Sequence, residues 1–171
     1  MKSVKKSRVA LVMLVIGIMI VGCQQKTNQD SLIKTEQKNN SKENSEGMSI
    51  TIYFENENAD GFDTKNVKVE KLTAENLIEQ LRKKGVLAEE VQINSFEETE
   101  DEGEKALKID LNKEYLKELQ SMGSSGEYML MGSVCNTFLD AYECNKIQVT
   151  VDNQEIVTGH TDYPGYMGKF E

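Results

Sequence analysis

Apolar and polar residues trade places along most of this chain with one of two periods, and the periods name the elements. Ile50, Ile52 and Phe54 alternate with Thr51 and Tyr53, the two-residue period of a half-buried strand. Val67 and Val69 suggest a shorter strand after the polar turn Asn58-Ala59-Asp60-Gly61. Val91 to Phe96 and Leu107 to Leu111 read as an antiparallel pair joined by an acidic loop, Glu97 to Glu104, in which Gly103 can supply a positive φ. Ile147, Val149 and Val151 alternate most cleanly, and Asp152-Asn153 forms a turn into a return strand at Ile156-Val157.

Elsewhere the period is helical. Thr73 is placed to cap a helix whose Ala74, Leu77, Ile78 and Leu81 share a face, and Gly85 is its stop. Asn112 is placed to cap a short helix through Tyr115, Leu116 and Leu119. Met122 to Gly126 reads as a glycine- and serine-rich break. A second long helix is predicted from Glu127 to about Tyr142, with Met131, Val134, Cys135, Phe138 and Tyr142 on one face and Tyr128, Leu130 and Leu139 widening it. Helices and half-buried strands in short alternation predict an α+β fold. The expected form is a two-layer sandwich with a mainly antiparallel sheet of about four or five strands and two main helices.

Upstream of Met48 neither period holds. Lys2, Lys5, Lys6 and Arg8 precede an uncharged apolar run, Val9 to Val21, which ends in Gly22-Cys23. That run falls short of the ~20 residues a spanning helix needs but fits the apolar region of a secretory signal. The pattern resembles a lipobox. It implies that residues 1–22 are a lipoprotein signal peptide, cut before Cys23, and that Cys23 carries a diacylglyceryl thioether. Two acyl chains on one residue suffice for stable anchoring. The expected location is the outer face of the bacterial cytoplasmic membrane. Residues 23–47 read as the lipidated N-terminus and a polar linker, with Leu32 and Ile33 its only sizeable apolar side chains. The folded domain is expected over 48–171.

Charge narrows the function. Four of the 20 cations lie within residues 1–22, which leaves 16 against 29 acids and a formal charge of −13 from Cys23 onward. Such a surface repels nucleic acid. The chemistry of a catalyst is hard to find. The single histidine, His160, could be paired with Asp162 and with Ser124 or Ser133, but no Gly-x-Ser-x-Gly elbow supports a hydrolase. One histidine and two cysteines at unsuitable spacing do not make a zinc site. The acidic run lacks the spacing of a calcium loop. Gly123-Ser124-Ser125-Gly126 lacks a phosphate-loop ending. Cys135 and Cys144 could bridge only if the helix ended near Ala141 and the chain doubled back, so two buried thiols are the preferred reading. No catalytic, metal or cofactor residue is expected.

Several segments together resemble a known family. Thr51 to Asn56, the strand and short helix from Ala106 to Leu116, Asn136-Thr137-Phe138-Leu139, the strand and turn from Ile147 to Asn153, and Gly159 to Asp162 are similar, in order and spacing, to the GerMN domain of sporulation and spore-germination lipoproteins. Asn153 departs from the family in standing where glycine is common, and a proline is missing around Ala88-Glu89-Glu90. The resemblance implies an extracytoplasmic interaction or ligand-binding module without an established catalytic site, similar to ring-building domains of the channel between mother cell and forespore. The expected function is a non-enzymatic, lipid-anchored module acting by protein assembly, through a protein partner or self-association. The alternative is a lipoprotein binding small ligands, peptides or cell-wall fragments, in a pocket lined by Tyr128, Tyr142 and Tyr163.

Overall fold

The computed structural model describes residues 47–171, so the signal-like segment, Cys23 and nearly all of the linker lie outside the described residues. In chain order the elements are β1 (Met48–Glu55), β2 (Phe62–Val69), α1 (Ala74–Lys84), β3 (Ile93–Asp101), β4 (Glu104–Leu111), α2 (Lys113–Gln120), α3 (Ser124–Ala141), β5 (Lys146–Val151), β6 (Gln154–Val157) and β7 (Asp162–Tyr163). β1 and β2 form a two-stranded sheet, and the other strands a five-stranded sheet in the order β3-β4-β5-β6-β7. The fold is α+β, and its strand pairs are antiparallel except β4 with β5. A parallel neighbour cannot be reached by a hairpin, so α2 and α3 together make the crossover between those two strands.

α1 forms where its signals lie. The Thr73 hydroxyl accepts the Asn76 N–H at 3.2 Å, and Ala74, Leu77, Ile78 and Leu81 are buried. Gly85 takes the left-handed conformation at φ 81° and donates to Arg82 O, while Val86 N–H returns to Leu81 O at 2.9 Å. That wrap satisfies carbonyls the helix would otherwise leave open. Asn112 sits at the α2 cap position, yet its side chain is used elsewhere. Its Oδ1 accepts Gln92 N–H at 3.1 Å and its Nδ2 donates to Glu90 O at 2.8 Å. It fastens the segment entering β3 instead of the helix it precedes.

The stretch from Glu97 to Glu104 is not a loop. β3 runs on to Asp101 and pairs in register with β4, placing Glu97 opposite Lys108 and Glu100 opposite Lys105. Opposite charges across a ladder favour the pairing, and only Glu102 and Gly103, at φ 52° and 83°, make the turn. Both central residues are left-handed, as a tight two-residue hairpin requires. Asp152-Asn153 turns β5 into β6 in the same way, at φ 48° and 62°, a left-handed geometry that asparagine tolerates better than most residues other than glycine.

α3 starts at Ser124, three residues before the position its composition suggests, and is buried on all sides from Met129 to Leu139. Its polar Ser133, Asn136 and Thr137 are as buried as its Val134 and Phe138. Two layers explain this. Met131 and Phe138 face the α2 and β3 side, where Tyr115 Oη lies 3.5 Å from Met131 Sδ and the Phe96 and Phe138 rings are 6.1 Å apart. The β1–β2 sheet, a second sheet that the strand periods do not announce, covers another flank. There Tyr53 N–H donates to Thr137 Oγ1 at 3.0 Å.

Candidate interaction surface

Among the described residues, and apart from the two-residue β7, two strands present an open edge: β2, paired only with β1, and β3, paired only with β4. β1 is enclosed between β2 and α3. The open edges differ in charge. β3 exposes Glu97, Glu98 and Glu100, and β2 exposes Lys65 and Lys68 beside Asp63. Lys146 draws Asp101 and Glu102 at 2.6 and 3.0 Å to the end of the acidic hairpin, and these two hydrogen bonds raise the lysine's pKa.

Residues nominated for chemistry are scattered. His160 is exposed in a turn built by Thr158, whose hydroxyl accepts the N–H groups of His160 and Thr161 at 3.1 and 3.0 Å. Asp162 is exposed on β7, Ser124 opens α3, and Ser133 is buried halfway along that helix. No hydrogen bond joins His160 to any of them among the described residues. Cys135 and Cys144 are both buried free thiols. The helix does end at Ala141, and Cys144 N–H turns back to Leu139 O at 3.0 Å, but Cys144 Sγ points to Tyr142 O at 3.4 Å. Burial pushes the Cys135 thiol pKa well up. Among the described residues no group of three or more His, Cys, Asp or Glu side chains is placed to hold a metal ion.

The three tyrosines nominated for a ligand pocket do not meet. The Tyr128 ring is tilted against those of Phe62 and Phe170, the Tyr142 ring lies 4.7 Å from that of Phe96, and Tyr163 is buried with Glu127. A cleft of about 320 Å³ opens elsewhere, beside Phe54 and Glu55 of β1, Lys84 at the end of α1, and Met122, Met129 and Ser133. Lys84 Nζ sits 3.6 Å above the Phe54 ring at its rim.

Two buried carboxylates tie elements together. Glu127 Oε1 accepts Tyr163 Oη at 2.9 Å and Thr158 Oγ1 at 2.8 Å, so the β6–β7 turn is fastened to the first turn of α3. Among the described residues its Oε2 has no hydrogen-bond partner. Burial, followed by the bond to Glu127, raises the Tyr163 pKa. Asp110 on β4 is better served. It accepts Thr150 Oγ1 at 2.6 Å, Asn153 N–H at 2.7 Å and Asn94 Nδ2 at 2.9 Å. Burial works against its charge, but these donors outweigh it and hold the pKa below the usual carboxylate value.

Sequence reasoning missed a stripe on α3. Asn136 Oδ1 accepts Phe170 N–H and its Nδ2 donates to Phe170 O, both at 2.9 Å. Tyr128 Oη donates to Glu171 O at 3.2 Å and accepts Glu171 N–H at 3.3 Å. Between them lies Gly132, where a Cβ would come within 2.3 Å of Phe62 Cζ and 2.9 Å of Phe170 Cβ. The available signal was a buried polar residue and a glycine spaced i, i+4 and i+8 with a tyrosine on one helix face.

Fold and surface together define a small α+β module with open sheet edges and scattered polar chemistry. The model of a family described as sporulation and spore germination, Germane, matches residues 51–157, more than half of the 171 residues. The chain belongs to that family, which is not a known enzyme family. Among solved structures it is similar to a candidate lipoprotein from Clostridium perfringens, with 19% identity and a TM-score of 0.42, covering 72% of this chain and 88% of that one. It is also similar to the tandem GerMN domains of the sporulation protein GerM from Bacillus subtilis, with 15% identity and a TM-score of 0.43. That match covers 73% of this chain and 47% of the other, so the chain spans about half of the tandem protein. Both likenesses are loose, and membership rests on the family match. No curated protein matches the chain. Among the described residues no helix is long and apolar enough to cross a membrane.

Proposed function

We propose that the chain is a non-enzymatic interaction module of sporulation or spore germination, held by a diacylglyceryl anchor at Cys23 on the outer face of the cytoplasmic membrane and acting by protein assembly. The observation that carries the assembly reading is the pair of open strand edges of opposite charge, β2 with its lysines and β3 with its acids. An unpaired edge offers backbone donors and acceptors to another strand, and complementary charge selects the partner and speeds its approach. The anchor is supported by the lipobox-like run ending at Cys23.

Charge reversal tests assembly directly. Lys65→Glu with Lys68→Glu should lower spore yield or germination while the circular dichroism spectrum stays unchanged, and a normal phenotype in a folded variant would refute the edge reading. Cys23→Ser tests the anchor by itself. It should block both lipidation and the cut before residue 23, whereas mass spectrometry of the wild-type membrane form should show a diacylglyceryl-modified Cys23, and an unmodified N-terminus at Met1 would refute the anchor. The cleft beside Met122, Met129 and Ser133 favours one alternative reading, binding of a small ligand.

A further inference from the structure

The cleft beside the end of β1, the end of α1 and the start of α3 carries polar groups that no protein partner satisfies. Ser133 lines it and is 1% exposed, yet its hydroxyl has no hydrogen-bond partner among the described residues. A hydroxyl at that depth is normally paired, because desolvation without a partner is costly. One anion and one cation, Glu55 and Lys84, line the same cleft, both exposed and neither in an ion pair among the described residues. Lys84 Nζ is held 3.6 Å above the Phe54 ring. The exposures thus run from a charged mouth to a buried hydroxyl, and Met122, Met129 and Leu130 supply apolar walls.

We infer that this cleft binds a small zwitterion of the size and polarity of tyrosine, with its charged end at Lys84 and Glu55 and a polar far end at Ser133. The inference deepens the small-ligand reading of the cleft and rests on it. A volume of about 320 Å³, mostly apolar walls and a few placed polar groups suit a small molecule. Opposite charges at the mouth pair with a carboxylate and an ammonium on one molecule. A lone anion would meet Glu55 and the acidic surface of the chain, and a lone cation would meet Lys84. The first turn of α3 has no side-chain cap and contributes Gly126 to the lining, which adds partial positive charge for the carboxylate. Methionine walls adapt to a ring and make favourable sulfur contacts with its edge. The Ser133 hydroxyl then pairs with the phenol instead of standing unpaired.

The probes are tyrosine, phenylalanine, tyramine and p-hydroxyphenylpropionate, titrated into the full chain in detergent and read by isothermal titration calorimetry. Tyrosine should bind about tenfold tighter than each of the others, which lack the phenol, the carboxylate and the ammonium in turn. Each variant should erase one preference and keep the other two. Ser133→Ala should lose the preference over phenylalanine, Lys84→Ala that over tyramine, and Glu55→Gln that over p-hydroxyphenylpropionate. The retained preferences separate a lost contact from a folding defect. Equal binding of all four probes, or a preference that survives its variant, overturns the inference and leaves a small-ligand cleft of other chemistry. No saturable binding of tyrosine at millimolar concentration overturns it as well. None of these readouts involves the β2 or β3 edges, so the cleft and the edge-assembly reading can fail separately.

Discussion

The β1–β2 and β3–β4 hairpins each give one strand to the core and one to the surface, yet their inner strands find different second neighbours. β4 has β5 on its far side, a parallel ladder from Ala106↔Lys146 to Leu111↔Val151. β1 has a helix there, and a helix offers a strand no regular ladder. The Tyr53 N–H that points toward α3 is met by a side chain, Thr137 Oγ1. A buried backbone group must be paired by something, so where a sheet uses another strand, this protein places a threonine on the buried face of a helix. Thr137, like Asn136 beside it, is polar because of what a neighbouring backbone requires.

The strongest way to break the comparison is to ask whether the two hairpins share one core. Ile52 on β1 and Leu107 on β4 are 1% and 0% exposed. Ile52→Ala and Leu107→Ala should each cost about 2–5 kcal/mol. Both should lower a single urea transition seen equally by far-ultraviolet dichroism and by β4–β5 amide exchange. A separate early transition in Ile52→Ala would show that the β1–β2 hairpin melts alone.

Thr137→Val keeps the shape and removes the acceptor for Tyr53 N–H. Stranding that donor should cost about 1–3 kcal/mol in urea unfolding. A neutral result would mean that water replaces the hydroxyl and that the helix is no surrogate for a strand.

Asp110 sharpens the β4 side. A folded-state pKa below the unfolded value near ~3.9 means stability that is full above that value and lost as pH falls through the folded pKa. Asp110→Asn should therefore cost about 1–3 kcal/mol at neutral pH. Its deficit against wild type should shrink below about pH 4, as read from melting temperatures across the acid range. A deficit that stays constant through the acid range would mean that folding does not lower the Asp110 pKa.

The smallest effect belongs to the β3–β4 tip. Lys146→Ala removes partners from Asp101 and Glu102, in contacts open to water. The expected loss is at the edge of detection in urea unfolding and should fade in high salt.

Legibility in the sequence followed locality. α1 declares itself because Thr73, its apolar face and Gly85 all lie within one short segment, and each does what its type predicts. β5 does the same through period alone. The acidic run from Glu97 to Glu104 misled because six carboxylates in eight residues read as a solvated loop, whereas Lys105 and Lys108 across the ladder make it a strand. The start of α3 was hidden by Gly123-Ser124-Ser125-Gly126, a composition that favours turns but is tolerated in a first helical turn. The second sheet, the parallel β4–β5 pair and the Tyr128–Gly132–Asn136 stripe depend on residues far apart in the chain, and no periodicity records them. For the site, the acidic surface was visible and its strand geometry was not. The Tyr128, Tyr142 and Tyr163 pocket joined residues that the fold sends to separate places.

Cys135 lies in the middle of α3 with no exposed surface, and burial suppresses its thiolate. The domain thus carries its own unfolding clock. An alkylating reagent can reach that sulfur only when the layers on either side of the helix part, so labelling of Cys135 times the global opening of the domain. Cys144, at 8% exposure, lies nearer the surface and times the smaller openings around the end of the helix. The ratio of the two labelling rates separates fraying from unfolding in one sample, with no mutation.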